Sequence, residues 1–144
     1  MSITQEEFDY LIEQEKIFDE LDPIELAPAP KEWTRSLTAP ETKEKFLLDF
    51  RRSGFELTKY TYNKRYRQTI ILVRYCSTGR HTNPDGEPFS GPHVHLYREG
   101  FSDKFAFPIS ELGIDHNDRM DVVLEKLLAY CNVTSSPMIL PPLY

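Results

Sequence analysis

The chain has no apolar run near the roughly 18 residues that a membrane-spanning helix needs, so no membrane partner is expected. Its first twenty residues are acidic and contain no apolar core of the kind a secretory leader carries. There are only two cysteines, Cys76 and Cys131, far apart and each in an apolar run. That excludes a disulfide framework and gives too few thiols for a cysteine-rich zinc module. Two free thiols in a reducing cytoplasm are the expectation. No internal repeat and no low-complexity tract is present.

What remains is a 144-residue chain that is 40% hydrophobic and 12% aromatic, enough for a single folded domain over 1–144 without covalent staples. The net charge of −6 hides a pattern. Residues 1–32 carry ten acidic and two basic residues; residues 51–80 carry eight basic and one acidic; residues 81–144 carry nine acidic and four basic. A basic block between acidic segments speaks to partners rather than to fold.

Period and punctuation predict an α+β domain: an antiparallel β-meander of about five strands with an N-terminal and a C-terminal helix. Residues 1–22 read as an acidic helix, with Thr4 and Glu7 as a capping box and Phe8, Leu11, Ile12, Phe18 and Leu21 as its apolar stripe. Residues 23–32 are a proline-rich linker, and Trp33 to Leu37 suits a short strand. From Lys45 the pattern becomes period two, and the sheet is expected over 45–110, with a turn at Ser53-Gly54 and strands over 55–62, 65–77, 92–97 and 104–109. Asn63-Lys64 is expected to break or bulge its strand. A second helix is expected over 119–132, and the tail from Pro137 should lie extended against the body.

The chemistry concentrates in HTNPDGEPFSGPHVHLY, residues 81–97, which holds three of the four histidines around an Asn-Pro-Asp-Gly turn. His93 and His95 are two apart, so a strand points both to one face. His116 lies in a polar loop and is expected in solvent. Three uses of the cluster are open. One is RNA cleavage without a metal, with His81, His93 and His95 as acid and base and Tyr97 orienting a histidine. Lys59, Arg65 and Arg67 would hold phosphate, and the alternation in KYTYNKRYR would let bases stack. A second is a metal site, with His81 or Asp85 and Glu99 joining His93 and His95. Gly86 and His93-x-His95 come near the first cupin motif, but the spacing is one residue long and no second motif follows. The third is structural, with the histidines pairing across strands and Asn83 capping the turn. The first use is the expectation, with no cofactor.

The stretches FLLDF, K-x-T-Y-x-x-R-x-R from Lys59 to Arg67, IILVR, HTNPDGE, PHVHLYREGF and DKFAFP, spread from Phe46 to Ala106, resemble an uncharacterised bacterial and phage family. The resemblance implies a prophage or other mobile-element setting and no particular activity. A second function is therefore open besides the nuclease-like one. It is a phage-encoded inhibitor that docks on a basic host partner, such as a CRISPR-type defence nuclease, through Glu6, Glu7, Asp9, Glu13 and Glu20.

Overall fold

The computed structural model describes residues 2–56 and 58–142. In chain order the elements are α1 (Gln5–Glu13), β1 (Lys16–Phe18), β2 (Lys31–Thr38), β3 (Lys45–Arg52), β4 (Tyr60–Tyr66), β5 (Ile70–Cys76), β6 (Arg80–Thr82), β7 (Pro88–Ser90), β8 (His93–Leu96), β9 (Ala106–Phe107), α2 (Met120–Tyr130) and β10 (Val133–Ser135). The fold is α+β. The main sheet has eight strands rather than about five, in the order β10-β1-β2-β3-β4-β5-β8-β9, and β6 and β7 form a separate hairpin. From β1 to β9 neighbouring strands of this sheet are antiparallel; β1 and β10 are parallel. Of the additional strands, β1 and β10 have three residues each, too short for a period to register in sequence, and β2 has eight, lengthening the short strand expected over Trp33 to Leu37.

Thr4 closes the expected capping box: its hydroxyl accepts the Glu7 N–H at 3.0 Å, and the Glu7 carboxylate accepts the Thr4 N–H at 3.1 Å. The helix buries Phe8, Leu11 and Ile12 but stops at Glu13, well short of residue 22. Lys16 supplies the reason. Its amine is fully buried and donates to the carbonyls of Ile12, Gln14 and Cys131 at 3.1, 2.8 and 2.7 Å. These acceptors sit at the C-terminal ends of α1 and α2, where carbonyls lack intrahelical partners and a cation is favoured. One lysine thus seals both helices and starts β1. Phe18 is buried as a strand residue, Leu21 is exposed, and Glu20 lies outside any helix.

The hairpin between β4 and β5 also departs from expectation. Residues 65–77 are not one strand: β4 ends at Tyr66, and Arg67 and Gln68 turn the chain with φ of 51° and 65°. With Tyr66 paired to Ile70, both left-handed residues sit in a three-residue hairpin loop, 67–69. An Arg-Gln pair carries no glycine or asparagine to announce it. The bulge expected near Asn63-Lys64 falls between Lys64 and Arg65, without breaking β4. The strand expected over 55–62 begins only at Tyr60. Before it, the Ser53 hydroxyl accepts the N–H groups of Phe55 and Glu56 and holds a turn.

Both helices pack on one face of the sheet, where Phe46, Leu48, Phe50, Tyr62 and Leu72 meet Leu11, Val123, Leu124 and Leu127. Each large apolar side chain buried there contributes roughly 1.5–3 kcal/mol. The Tyr62 hydroxyl donates to the Met120 carbonyl at 2.6 Å and ties the sheet to the start of α2. This face overturns the stacking surface expected of KYTYNKRYR. Tyr60, Tyr62, Lys64 and Tyr66 all point into the core, and Thr61, Asn63 and Arg65 point the other way. Period two divides a basic-aromatic run between two faces, so its aromatics cannot meet a nucleic acid from β4.

Outside the sheet, Ile24 in the proline-rich segment bridges to Ile139 of the C-terminal segment, with Ile24 N–H on the Met138 carbonyl at 2.9 Å. Residues 143 and 144 of the expected apolar tail lie outside the described residues.

Candidate functional site

The face of the sheet opposite the helices carries two cross-strand rows. One is Glu32, Arg51, Thr61, Cys76 and His93; the other is Thr34, Asp49, Asn63, Arg74 and His95. Alternation places every member on the same side. Both rows end at the imidazoles of β8. His93 and His95 have only 4% and 5% of their surface exposed, so they are walled in rather than laid on a solvated face.

The wall is the β6–β7 hairpin. Its turn follows the expected Asn-Pro-Asp-Gly signal, with the Gly86 N–H on the Asn83 carbonyl at 2.8 Å and Gly86 at φ 94°. The hairpin is anchored through the side chain of Asn83, which is buried. Its Oδ1 accepts the Ala106 N–H at 2.7 Å and its Nδ2 donates to the Ala106 carbonyl at 3.0 Å. Asn83 thereby reproduces with its amide the pairing that another strand would offer to β9. That clamp brings His81 over the strand histidines. Ring centroids are 4.7 Å apart for His81 and His95, 5.0 Å for His93 and His95, and 6.1 Å for His81 and His93.

Each ring is held by a backbone carbonyl. His93 Nδ1 meets the Gly91 carbonyl at 2.8 Å, His95 Nδ1 the Asp103 carbonyl at 2.9 Å, and His81 Nε2 the Lys104 carbonyl at 2.6 Å. A carbonyl oxygen only accepts, so each of these nitrogens carries the hydrogen. In the neutral rings the lone pairs are then on Nε2 of His93 and His95 and on Nδ1 of His81. Burial first, then the neighbouring His93 and His81, push His95 down to about 4, so it is uncharged at neutral pH.

The three imidazoles, Cys76, Arg74, Arg80, Asp103 and Lys104 line an open pocket of about 420 Å³. Arg74 pairs with Asp103 at 2.9 Å. Burial pushes the Cys76 thiol up, against the pull of Arg74. A groove of about 410 Å³ continues along the two rows past Asp49 and Arg51, sharing Arg74 and Cys76 with the pocket.

Other expected site residues lie elsewhere. Tyr97 does not orient a histidine: it is buried against Phe8, and its hydroxyl donates to the Ile3 carbonyl at 2.7 Å and accepts the Ile3 N–H at 2.9 Å. Arg65 is engaged by Asp49 at 2.6 and 2.8 Å and by the Gln68 carbonyl. Burial raises the Asp49 carboxyl, but hydrogen bonds from Arg65, Thr34 and Asn63 outweigh it and leave it below the ordinary value. Arg67 sits in the turn at the end of the sheet away from Cys76, over the Tyr66 ring. Lys59 borders a third recess with Arg51 and Thr61, at the same sheet end as Cys76. Asp85 accepts an N–H within its own turn, and Glu99 accepts the Gln5 N–H at the start of α1, so neither completes a ligand set. His116 is exposed, as expected. Glu6, Glu7, Asp9 and Glu13 are exposed on α1.

Cys76, Arg80, Asp103 and Lys104 carry no site signal in the sequence beyond the two-residue spacing of Cys76 from Arg74 on a strand; which strand that pair faces depends on register.

A family model matches residues 3–133, which include every residue of this pocket. The chain belongs to a family of unknown function, DUF6978. No curated protein and no solved structure matches it. Among the described residues no helix is long and apolar enough to cross a membrane.

Proposed function

We propose that the protein acts on RNA at the histidine pocket, as a small nuclease-like enzyme of a mobile-element or prophage setting working in the cytoplasm. The observation that carries this reading is the convergence of three imidazoles, two of them nearly buried, in an open pocket whose rim bears Arg74, Arg80 and Lys104. Cleavage through a 2′-hydroxyl needs a base with a free lone pair, an acid and fixed positive charge near the phosphate. His81 and His93 are the candidates for proton transfer, each turned by a carbonyl so that one nitrogen is free. Arg80 and Lys104 are the phosphate contacts this reading favours, with Lys59 and Arg51 extending them along the sheet. Arg65 and Arg67 have no part in it, because Asp49 holds one and the other lies at the opposite end.

The test is cleavage of an end-labelled single-stranded RNA by the purified protein and by His81→Ala, His93→Ala and Arg80→Ala variants. The reading expects a loss of about 10²-fold or more for either histidine, the usual weight of a general acid or base. Cleavage that the histidine variants leave unchanged would refute it.

One observation favours a second reading, the inhibitor of a basic host nuclease. Glu6, Asp9 and Glu13 share one exposed face of α1, and none forms an ion pair among the described residues. Reversing these three charges should abolish binding to such a partner; binding that survives reversal rules the reading out.

A further inference from the structure

We infer that Cys76, His93 and His95 form a binding site for a thiophilic divalent transition-metal ion, of which zinc(II) fits the donor set best. The site shares the pocket proposed for RNA but stands without that reading; the proton-transfer role given to His93 belongs to the metal-free protein, because a bound ion takes its Nε2 lone pair.

Three independent observations converge on it. First, register: Cys76 is the direct cross-strand partner of His93, and His95 is the partner of Arg74, two residues before Cys76 on the same face. Donor atoms of the three side chains all lie within 4.8 Å of one another. A tetrahedral zinc ion with one sulfur and two nitrogens needs them about 3.3–3.6 Å apart. The remaining ångström is within reach of small χ rotations.

Second, orientation: the Gly91 and Asp103 carbonyls each take the Nδ1–H of one ring. That fixes both as tautomers with a lone pair on Nε2. A backbone carbonyl on the far nitrogen is how metal-ligating histidines are characteristically held, because it sets the ring's rotation and raises the basicity of the ligand nitrogen. Third, the cluster is unpaired within itself. None of the described residues donates to the free nitrogens of His81, His93 or His95, so the rings face one another with acceptors and no shared proton. A cation supplies what that arrangement lacks.

The charges around the site permit it. Arg74 is the cross-strand partner of His95, and Asp103 neutralises it. Arg80 and Lys104 are on the exposed rim. One sulfur and two imidazoles select a borderline-soft ion over magnesium or calcium, which take oxygen ligands. Three protein donors leave a fourth position, the composition of zinc sites that keep a place for water or substrate. His81 stands beside that position, 4.7 Å from the His95 ring, with its own lone pair unused.

The experiment is a titration of the metal-free protein with cobalt(II), read by absorbance. Expected are the visible bands of tetrahedral cobalt and a near-ultraviolet thiolate-to-cobalt band, saturating at one equivalent and bleached by zinc. Cys76→Ser should remove the thiolate band. His93→Asn and His95→Asn should weaken binding beyond the roughly 10–100-fold that loss of an outer-sphere partner costs. In case these variants fold poorly, the unaltered protein is also alkylated with iodoacetamide, with and without zinc. Zinc should protect Cys76, located by peptide mass mapping. No cobalt bands at one equivalent, or bands that Cys76→Ser leaves intact, or a Cys76 alkylation rate that zinc does not change, would each overturn the site. The cleavage assay run in parallel separates the two claims. Stoichiometric cobalt binding without RNA cleavage keeps the metal site and refutes the nuclease; cleavage by a protein that shows no cobalt bands does the reverse.

Discussion

Replacing Lys64 with methionine should stabilise the protein. Lys64 lies in the middle of β4 and is fully buried, and its amine has no hydrogen-bond partner among the described residues. It lies 5.3 Å from the centre of the Phe46 ring, on which the Lys16 amine also rests at 5.1 Å. Burial pushes the pKa of the Lys64 amine below its ordinary value. An unpartnered polar group in such a place costs about 1–3 kcal/mol. Methionine is similar in length and volume, has flexible torsions and places no donor there. The expected gain at pH 7 is therefore about 1–3 kcal/mol, or roughly 3–10 °C in Tm for a domain of this size. Trp33 is the only tryptophan and packs at a tilt against Phe50 with ring centroids 5.4 Å apart, so its fluorescence reports urea unfolding of the sheet. Lys64→Ala is the control. It removes the amine too but leaves a cavity, and should be less stable than the methionine variant by about 2 kcal/mol or more. A methionine variant with a lower urea midpoint at unchanged slope would refute the reasoning. It would mean that Lys64 is charged and held by Phe46 more firmly than its missing partners suggest.

Lys16 gives the pH dependence. Burial, then the charge of Lys64, lowers its pKa from the ordinary 10.5 to about 7. Between those values the unfolded chain holds the proton more tightly than the folded one, so stability should rise with pH from about 7 to 10.5 and be flat in this respect below 7. The rise is at most about 5 kcal/mol, and a Lys16→Met variant should lose that slope in urea melts run across the range. Asn83→Ala should unpin the β6–β7 hairpin, costing about 1–3 kcal/mol and accelerating amide exchange over residues 80–90 before the main sheet opens. Tyr97→Phe should lower stability by about 1–2 kcal/mol, through loss of the two bonds to Ile3, and leave pocket chemistry unchanged; an altered RNA-cleavage rate at full folding would return Tyr97 to the site.

The parts of the fold with a long period or a strong turn signal were legible in the sequence. The capping box at Thr4, the alternation from Lys45, the Asn-Pro-Asp-Gly turn and α2 all announce themselves locally. What stayed hidden is set by contacts across the chain. The Ile12–Phe18 spacing suits a helix; the capture of Lys16 by carbonyls of two helix ends and the pairing of 16–18 with β2 and β10 make it a strand. The Arg67-Gln68 turn uses residues without turn propensity. For the site, the His93-x-His95 pair and its neighbour His81 were visible because alternation and a tight turn are short-range facts. Cys76 looks like an ordinary free thiol, because nothing in the sequence states that it faces His93 across β5 and β8. The basic run of β4 misled for the same reason: its charge was legible, and its division between two faces was not.

The most direct test of the account is an NMR titration of the four histidine rings in the unaltered, metal-free protein with a short single-stranded RNA. Expected are coupled shifts of His81, His93 and His95 on one binding curve, with the exposed His116 silent. RNA that moves His116, or no ring at all, would contradict the claim that the pocket is where this protein acts.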